Sequence, residues 1–228
     1  MLSHKTARKT AEQLAQCALD EWGELKRRKL RPPLNQLILS TFAHLTSVRR
    51  ATRGLRQLKR GFVDWNEIRI THPSEVAGAL SSARWARLGA QRVVWVLRGL
   101  QETFHRMDLD FLAELNPAQA RSCLTGLPAV PPYLADEVLL LSLDVPVLPC
   151  SPAAARMSWR LGLLANPQPT LENRLRLEGL FEKRYFVCTH LFLCDHAEQH
   201  CTVQAPACAE CTLSEMCLNA NNKSTDAS

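Results

Sequence analysis

The segment GLPAVPPYLADEVLLLSLDVPVLPCSPAAARMSWRLGL, residues 126 to 163, sets two proline-rich passages around one apolar stretch. It lies between segments whose apolar positions recur three and four apart, the period of an amphipathic helix. Within it, VLLLSLDVPVL has the composition of a strand, but no second strand candidate exists in the chain to pair with it. YLADEVLLLSL and SPAAARMSWRLGLL instead show the helical period, so the segment reads as helix, proline-rich loop, helix.

The same period extends outward. Residues 6 to 30 are rich in Ala, Leu, Glu, Lys and Arg and stop at RPP, where paired prolines end a helix. Helical patterns follow in LNQLILSTFAHL, VRRATRGLRQLKRGF, HPSEVAGAL, ARLGAQRVVWVLRGLQETF, LDFLAELN, PAQARSCLTGL and the long run ENRLRLEGLFEKRYFVCTHLFLCDHAEQH, with short connections. The expectation is an all-α fold. The final NANNKSTDAS is polar throughout and reads as a structureless tail over 221–228.

A chain of 228 residues can bury a sizeable core, as one large domain or two small ones. Hydrophobic residues at 46% and charged residues at 22% are ordinary for a globular protein. No apolar run is long enough to cross a bilayer, and MLSHKTARKTAEQ has no apolar stretch behind its charges to act as an export signal. The expected location is therefore the cytoplasm, in contact with the nucleoid. No membrane partner is expected, and the chain is expected to be monomeric.

The net charge of +6 is unevenly placed. Residues 1–60 hold 14 Lys and Arg against 4 acidic residues, whereas the remainder holds 14 against 18. The basic half includes KRRKLR at 26–31 and RRATRGLRQLKR at 49–60, spaced so that one helix face can present several guanidinium groups to a polyanion. A plain solvated helix face is the other reading of such a run.

Nine cysteines with no export signal favour metal binding or buried thiols over disulfides. Cys17, Cys123, Cys150, Cys188 and Cys194 read as small buried side chains. Cys201, Cys208, Cys211 and Cys217 crowd into one short stretch with C-x6-C-x2-C-x5-C spacing. Four thiolates from one loop suit a 4Fe-4S cluster, and zinc is the rival, since Cys208 and Cys211 form a CxxC pair; spacing alone favours neither.

Residues 126 to 163 resemble the helix-hairpin-helix and following loop of the endonuclease III superfamily of DNA glycosylases. Laid without a gap on that family's Leu-Pro-Gly-Val-Gly-x-Lys-Thr-Ala, Val-Asp-Thr-His-Val-x-Arg and Arg-Leu-Gly pattern, Leu127, Pro128, Val130, Ala135, Pro146, Pro149, Arg156, Arg160, Leu161 and Gly162 match. PLNQLILSTFAHLTSVRRA at 33–51 resembles the first barrel helix and a loop that enters the minor groove, and GFVDWNEIRITHPSEVAGAL at 61–80 the part after it. The cysteine spacing is the one with which the family binds a 4Fe-4S cluster, so the resemblance decides for iron–sulfur on Cys201, Cys208, Cys211 and Cys217. It also implies a helical barrel domain over 31–145 with a degenerate helix-hairpin-helix at about 116–142, a cluster domain from 1–30 plus 146–220, and double-stranded DNA, damaged or not, as partner.

The departures concern chemistry. Where bifunctional members carry the lysine that attacks the sugar, Tyr133 stands, and where the family keeps an aspartate that stabilises the cationic sugar, Ser151 stands. A phenol forms no imine, and a neutral hydroxyl supplies no charge to an oxocarbenium-like transition state. The hairpin glycines are replaced by Ala129 and Pro131, with Pro132 following, which removes two amide donors and is expected to disturb the hairpin conformation. Ala129, Val130, Pro131 and Tyr133, with Arg49, Arg50 and His44, remain the implied DNA contacts, His44 standing where a family glutamine fills the gap of an everted nucleotide. A plain helix-end histidine is the alternative there.

No catalytic residue is assigned. The expectation is a DNA-binding endonuclease III-like protein, acting in damage recognition or base-excision repair without the standard glycosylase and lyase chemistry. Two alternatives stand beside it: an active glycosylase using a relocated carboxylate, Glu137 or Asp136, and an iron–sulfur electron-transfer or protein-interaction module. His190, His196 and His200, near the first cluster cysteine, read as packed rather than metal-ligating histidines.

Overall fold

The computed structural model describes residues 2–23, 30–81 and 83–225. The chain divides into two compact units, one of Leu30–Val145 and one of Met1–Lys29 with Pro146–Ser228. Among the described residues every regular element is helical, in chain order α1 (His4–Trp22), α2 (Pro33–Ala43), α3 (Val48–Gly61), α4 (Trp65–Ile70), α5 (Pro73–Leu80), α6 (Arg84–Phe104), α7 (Pro117–Thr125), α8 (Pro132–Ser142), α9 (Pro152–Arg160), α10 (Leu171–Leu180), α11 (Phe186–Gln199) and α12 (Leu218–Thr225). This is the all-α architecture that the apolar periods imply. Of the basic run at 26–31, residues 26–29 lie outside the described residues.

In the unit of Leu30–Val145, α2 is the axis. It buries nine of its eleven residues, Pro33 through Phe42 with few breaks, as a helix apolar on all sides must. Helices α3, α6 and α8 pack on it, and α4 and α5 pack on α6. Phe42 is wholly buried and meets Trp85 edge-on, with ring centroids 5.6 Å apart.

Helices α7 and α8 pack on one another and form a helix-hairpin-helix. Asn116 and Gln119 close a capping box at the start of α7. After Gly126 the chain turns through Leu127-Pro128-Ala129-Val130, and the Val130 amide donates to the Leu127 carbonyl at 3.4 Å. The chain still turns between α7 and α8 with Ala129, Pro131 and Pro132 in place. Ala129 takes a left-handed φ of 61°, the position where a glycine is cheapest. Pro131 precedes α8 at φ −69° and Pro132 opens it, where an amide would have no helical partner anyway. The prolines thus sit where their fixed φ fits.

The other unit is built on α11, against which α1 and α9 pack. Helix α1 is capped by the Ser3 side chain and buries Ala7, Ala11, Leu14 and Ala18 along one stripe, ending at Gly23 with φ 67°. The long run from 172 to 200 is not one helix. It breaks at Phe181, whose backbone is extended, and resumes after a 3-10 turn at Lys183–Tyr185. LDFLAELN likewise forms only a 3-10 turn, Asp110–Glu114. Helix α12 runs into the polar tail as far as Thr225, and at its start Leu218 lies over Gly162, where a Cβ would overlap the Leu218 side chain and crowd Leu2.

At one place backbone approach is very close: a Cβ on Gly99 of α6 would overlap the Pro128 ring of the hairpin. Gly99→Ala is therefore expected to destabilise the protein by about 1–3 kcal/mol through overpacking, seen as a fall in melting temperature of roughly 5 °C for a chain of this size. An unchanged melting temperature would show that the hairpin can move away at no cost.

Candidate functional site

In the unit that holds Pro146–Ser228, the four crowded cysteines line one pocket. Cys201, Cys208, Cys211 and Cys217 share it with Arg160, His200, Pro206 and Ala207, around a space of about 290 Å³ open to solvent. All four are free thiols, half-buried. The loop is shaped by two 3-10 turns, Cys208–Glu210 and Ser214–Met216, each ending one residue before the next cysteine. Burial and the neighbouring sulfurs push the Cys211 thiol up, partly opposed by the Leu213 amide. Four free thiols lining one pocket, with no disulfide among them, offer donors of the kind a thiophilic metal takes.

Two arginines from α9 hold the loop. Arg156 Nη2 donates to the carbonyls of Ala197 at 3.3 Å and Cys201 at 3.2 Å. Arg160 Nη1 donates to Cys201 Sγ at 3.2 Å and the Thr202 carbonyl at 2.7 Å, and Nη2 reaches the Val203 carbonyl at 3.0 Å. A planar guanidinium can serve several acceptors of one turn at once, which a lysine cannot. His196 Nε2 lies 3.3 Å from Cys211 Sγ, and its ring stacks on Phe192 and tilts against His200. Burial, aided by His200 and partly opposed by Asp195, pushes His196 down to about 4. His190 is buried on the same helix, next to Cys194, with 3.9 Å between ring nitrogen and sulfur.

Ser151 caps α9. Its side-chain oxygen accepts from the Ala154 amide at 3.2 Å and the residue is wholly buried. Serine and aspartate are comparable N-caps, so this position keeps a helix start while lacking a carboxylate. Cys150, beside it, is buried.

In the other unit, Tyr133 stands in the first turn of α8, half-buried, with its ring 4.9 Å from that of His44 and nearly perpendicular to it. His44 follows α2 directly, and its Nε2 lies 2.7 Å from Glu137 Oε1, the two side chains being 15% and 5% exposed. Burial works against a charged imidazole, but the Glu137 charge and hydrogen bond outweigh it and hold His44 above its ordinary value, with Arg92 opposing. Burial likewise raises the Tyr133 phenol, Arg92 opposing and Glu137 adding. Asp136 is 2% exposed and accepts from Arg121 Nε at 2.6 Å, an ion pair that ties α7 to α8. Both carboxylates named from sequence are therefore engaged by cations of their own unit.

The remaining DNA contacts implied by sequence lie in the same unit. Ala129, Val130 and Pro131 form the hairpin turn. Arg49 and Arg50 are exposed in the first turn of α3, whose cap is Ser47. Arg31 does not join a basic surface but donates to Gln36 Oε1 at 2.8 Å. Arg156 and Arg160 fall on the pattern quoted from sequence, but their grip on the Cys201 loop, like the contacts of Arg92 and Arg121, joins positions from 15 to 48 residues apart that no local pattern links.

No protein-family model matches the chain. Over 97 residues it is 32% identical to endonuclease III of Bacillus subtilis, a match that spans 42% of this chain and 44% of that protein, under half its length. Among solved structures, a trapped endonuclease III–DNA covalent intermediate superposes over 98% of this chain and 100% of its own, with a TM-score of 0.76 at 20% identity. A thermostable thymine-DNA glycosylase superposes over 94% and 98%, with a TM-score of 0.68 at 17% identity. Over nearly its whole length the chain thus has the all-α fold of the endonuclease III–DNA structures.

Proposed function

We propose that the protein binds double-stranded DNA as an endonuclease III-like 4Fe-4S protein in damage recognition, without the standard glycosylase and lyase reactions. The observation that carries this is what stands at the two chemical positions. Tyr133 packs its ring on His44, and Ser151 is buried and capping a helix. Neither supplies an amine to form an imine nor a carboxylate to stabilise a cationic sugar. The fold's likeness to proteins solved with DNA supports DNA as partner, with His44, Arg49, Arg50, Ala129, Val130, Pro131 and Tyr133 as its contacts.

Cys201, Cys208, Cys211 and Cys217 would hold the cluster, one thiolate to each iron, and their shared pocket fits such a group. Bound there, the cluster supplies structure rather than hydrolysis, while Arg156 and Arg160 fix the first cysteine's backbone. Iron and inorganic sulfide are expected in protein purified without oxygen. Zinc with no sulfide would overturn the iron–sulfur assignment.

A second reading is favoured by the His44–Glu137 pair, a carboxylate hydrogen-bonded to an imidazole beside a phenol. In it Glu137 replaces the missing carboxylate in base excision. Single-turnover assays on duplexes carrying oxidised pyrimidines, mismatches, uracil, alkylated bases or an abasic site separate the two readings. Tight binding that weakens with salt and gives no product is the expected result. Base release abolished by Glu137→Gln would establish the second reading, and absence of duplex binding would leave only an electron-transfer or protein-interaction module.

As a structural pair, His44 and Glu137 have a definite pH signature. A histidine raised in the folded state contributes stability that is complete below its unfolded pKa, near 6.5, and is lost as pH rises through the folded value. Denaturant midpoints are expected to fall from pH 6 toward pH 9 on this account. Glu137→Gln is expected to cost about 2 kcal/mol at pH 6, the scale of a hydrogen bond to a charged group, and less at pH 9. An equal cost at both pH values would show that the imidazole is not charged by this contact.

A further inference from the structure

We infer that the exposed ridge of α3 is a second DNA-binding surface, one that grips the phosphate backbone of duplex DNA without regard to sequence. The inference rests on the DNA-binding reading and extends it past Arg49 and Arg50. With 100° between successive helical residues, Arg49, Arg53, Arg56 and Arg60 fall within about 60° of one another, a line about 16 Å long at 1.5 Å rise per residue. All four are exposed, and Arg50 and Lys59, also exposed, flank the line on its two sides. The opposite face, Ala51, Gly54, Leu55 and Leu58, is buried.

Three features mark this ridge as built for a polyanion. The helix has no acidic residue, and none of the six cations has an ion-pair partner among the described residues. Its cations stand three and four apart, where like charges repel, and Arg49 and Arg50 sit in the first turn, where the helix dipole disfavours positive charge. An anion laid along the helix relieves both. Four of the six are arginines in register, suited to phosphate oxygens.

A lipid surface is a poor occupant, because the apolar face that would enter it is packed into the protein. A need for such a surface follows from the hairpin. Of residues 127 to 132, three are prolines without an N–H, the Leu127 amide donates to the Leu124 carbonyl of α7, and the Val130 amide donates to the Leu127 carbonyl. Ala129 is left as the turn's remaining backbone donor among the described residues. Phosphate contacts that this hairpin cannot make in number have to come from elsewhere.

The test is binding of a short undamaged duplex by the full-length protein, followed by fluorescence anisotropy from 50 to 200 mM salt. Replacing Arg53 and Arg56 by Gln removes two phosphate contacts, so the slope of log K against log salt is expected to drop by about 1.8. Across that fourfold salt range the double variant then loses about twelvefold less affinity than the wild type does. Arg53→Lys with Arg56→Lys keeps the charges and is expected to keep most of the slope. Arg106→Gln, whose guanidinium already pairs with Asp108, is expected to leave it unchanged. Because the positions are exposed, the melting temperature of the Gln variant should not fall, which guards against misfolding as the cause. A wild-type protein that binds with an unmoved slope in the Gln variant overturns the ridge alone; a wild-type protein that does not bind duplex overturns the DNA-binding reading and the ridge with it.

Discussion

The contact of Pro128 with the bare backbone of Gly99 is the constraint on which the hairpin unit depends. A single missing methyl group lets the turn lie on α6, and the turn in turn sets where α8 begins. From that start the helix period puts Tyr133 and Glu137 one turn apart, both able to meet His44 at the end of α2. Asp136, one residue round, is directed to Arg121 on α7 instead, and this pair holds the two hairpin helices together. Close-packed interiors transmit such placements because they leave little room for compensation.

The charge arrangement follows a division of labour. Acidic groups near the hairpin are buried and matched, Asp136 by Arg121 and Glu137 by His44, so they stabilise the unit only while paired. The cations of α3 are left exposed, where charge attracts a partner more than it stabilises a fold. A net charge of +6 therefore understates the field that an approaching polyanion meets at this face.

Much of the fold was legible because helix periods are local. The apolar rows of α2, α6 and α8 repeat at three and four residues, and proline pairs mark where helices start. Helix breaks were less legible. At Phe181 the backbone turns extended and ends α10 although no proline marks the place. The hairpin turn was also only partly legible. The prolines do remove amide donors, but a loss of donors does not by itself unmake the turn: Pro131 and Pro132 sit where the fixed φ suits a helix start, and Ala129 takes the left-handed conformation that a glycine would take. The site was legible in its cysteine spacing and in the departures at 133 and 151. The partners of those residues were not, since Arg160 meets Cys201 across 41 residues and His44 meets Glu137 across 93.

The arginine grip also makes the cysteine loop depend on a helix contact outside it. Arg156 and Arg160 stand about forty residues before the first cysteine they hold, and α11, which α9 packs against, lies between them in the chain. The loop can be held this way only where α9 and α11 meet, since the arginines reach it from α9 and α11 leads directly into it. A change that separates α9 from α11 would therefore loosen the cysteine loop without touching any cysteine.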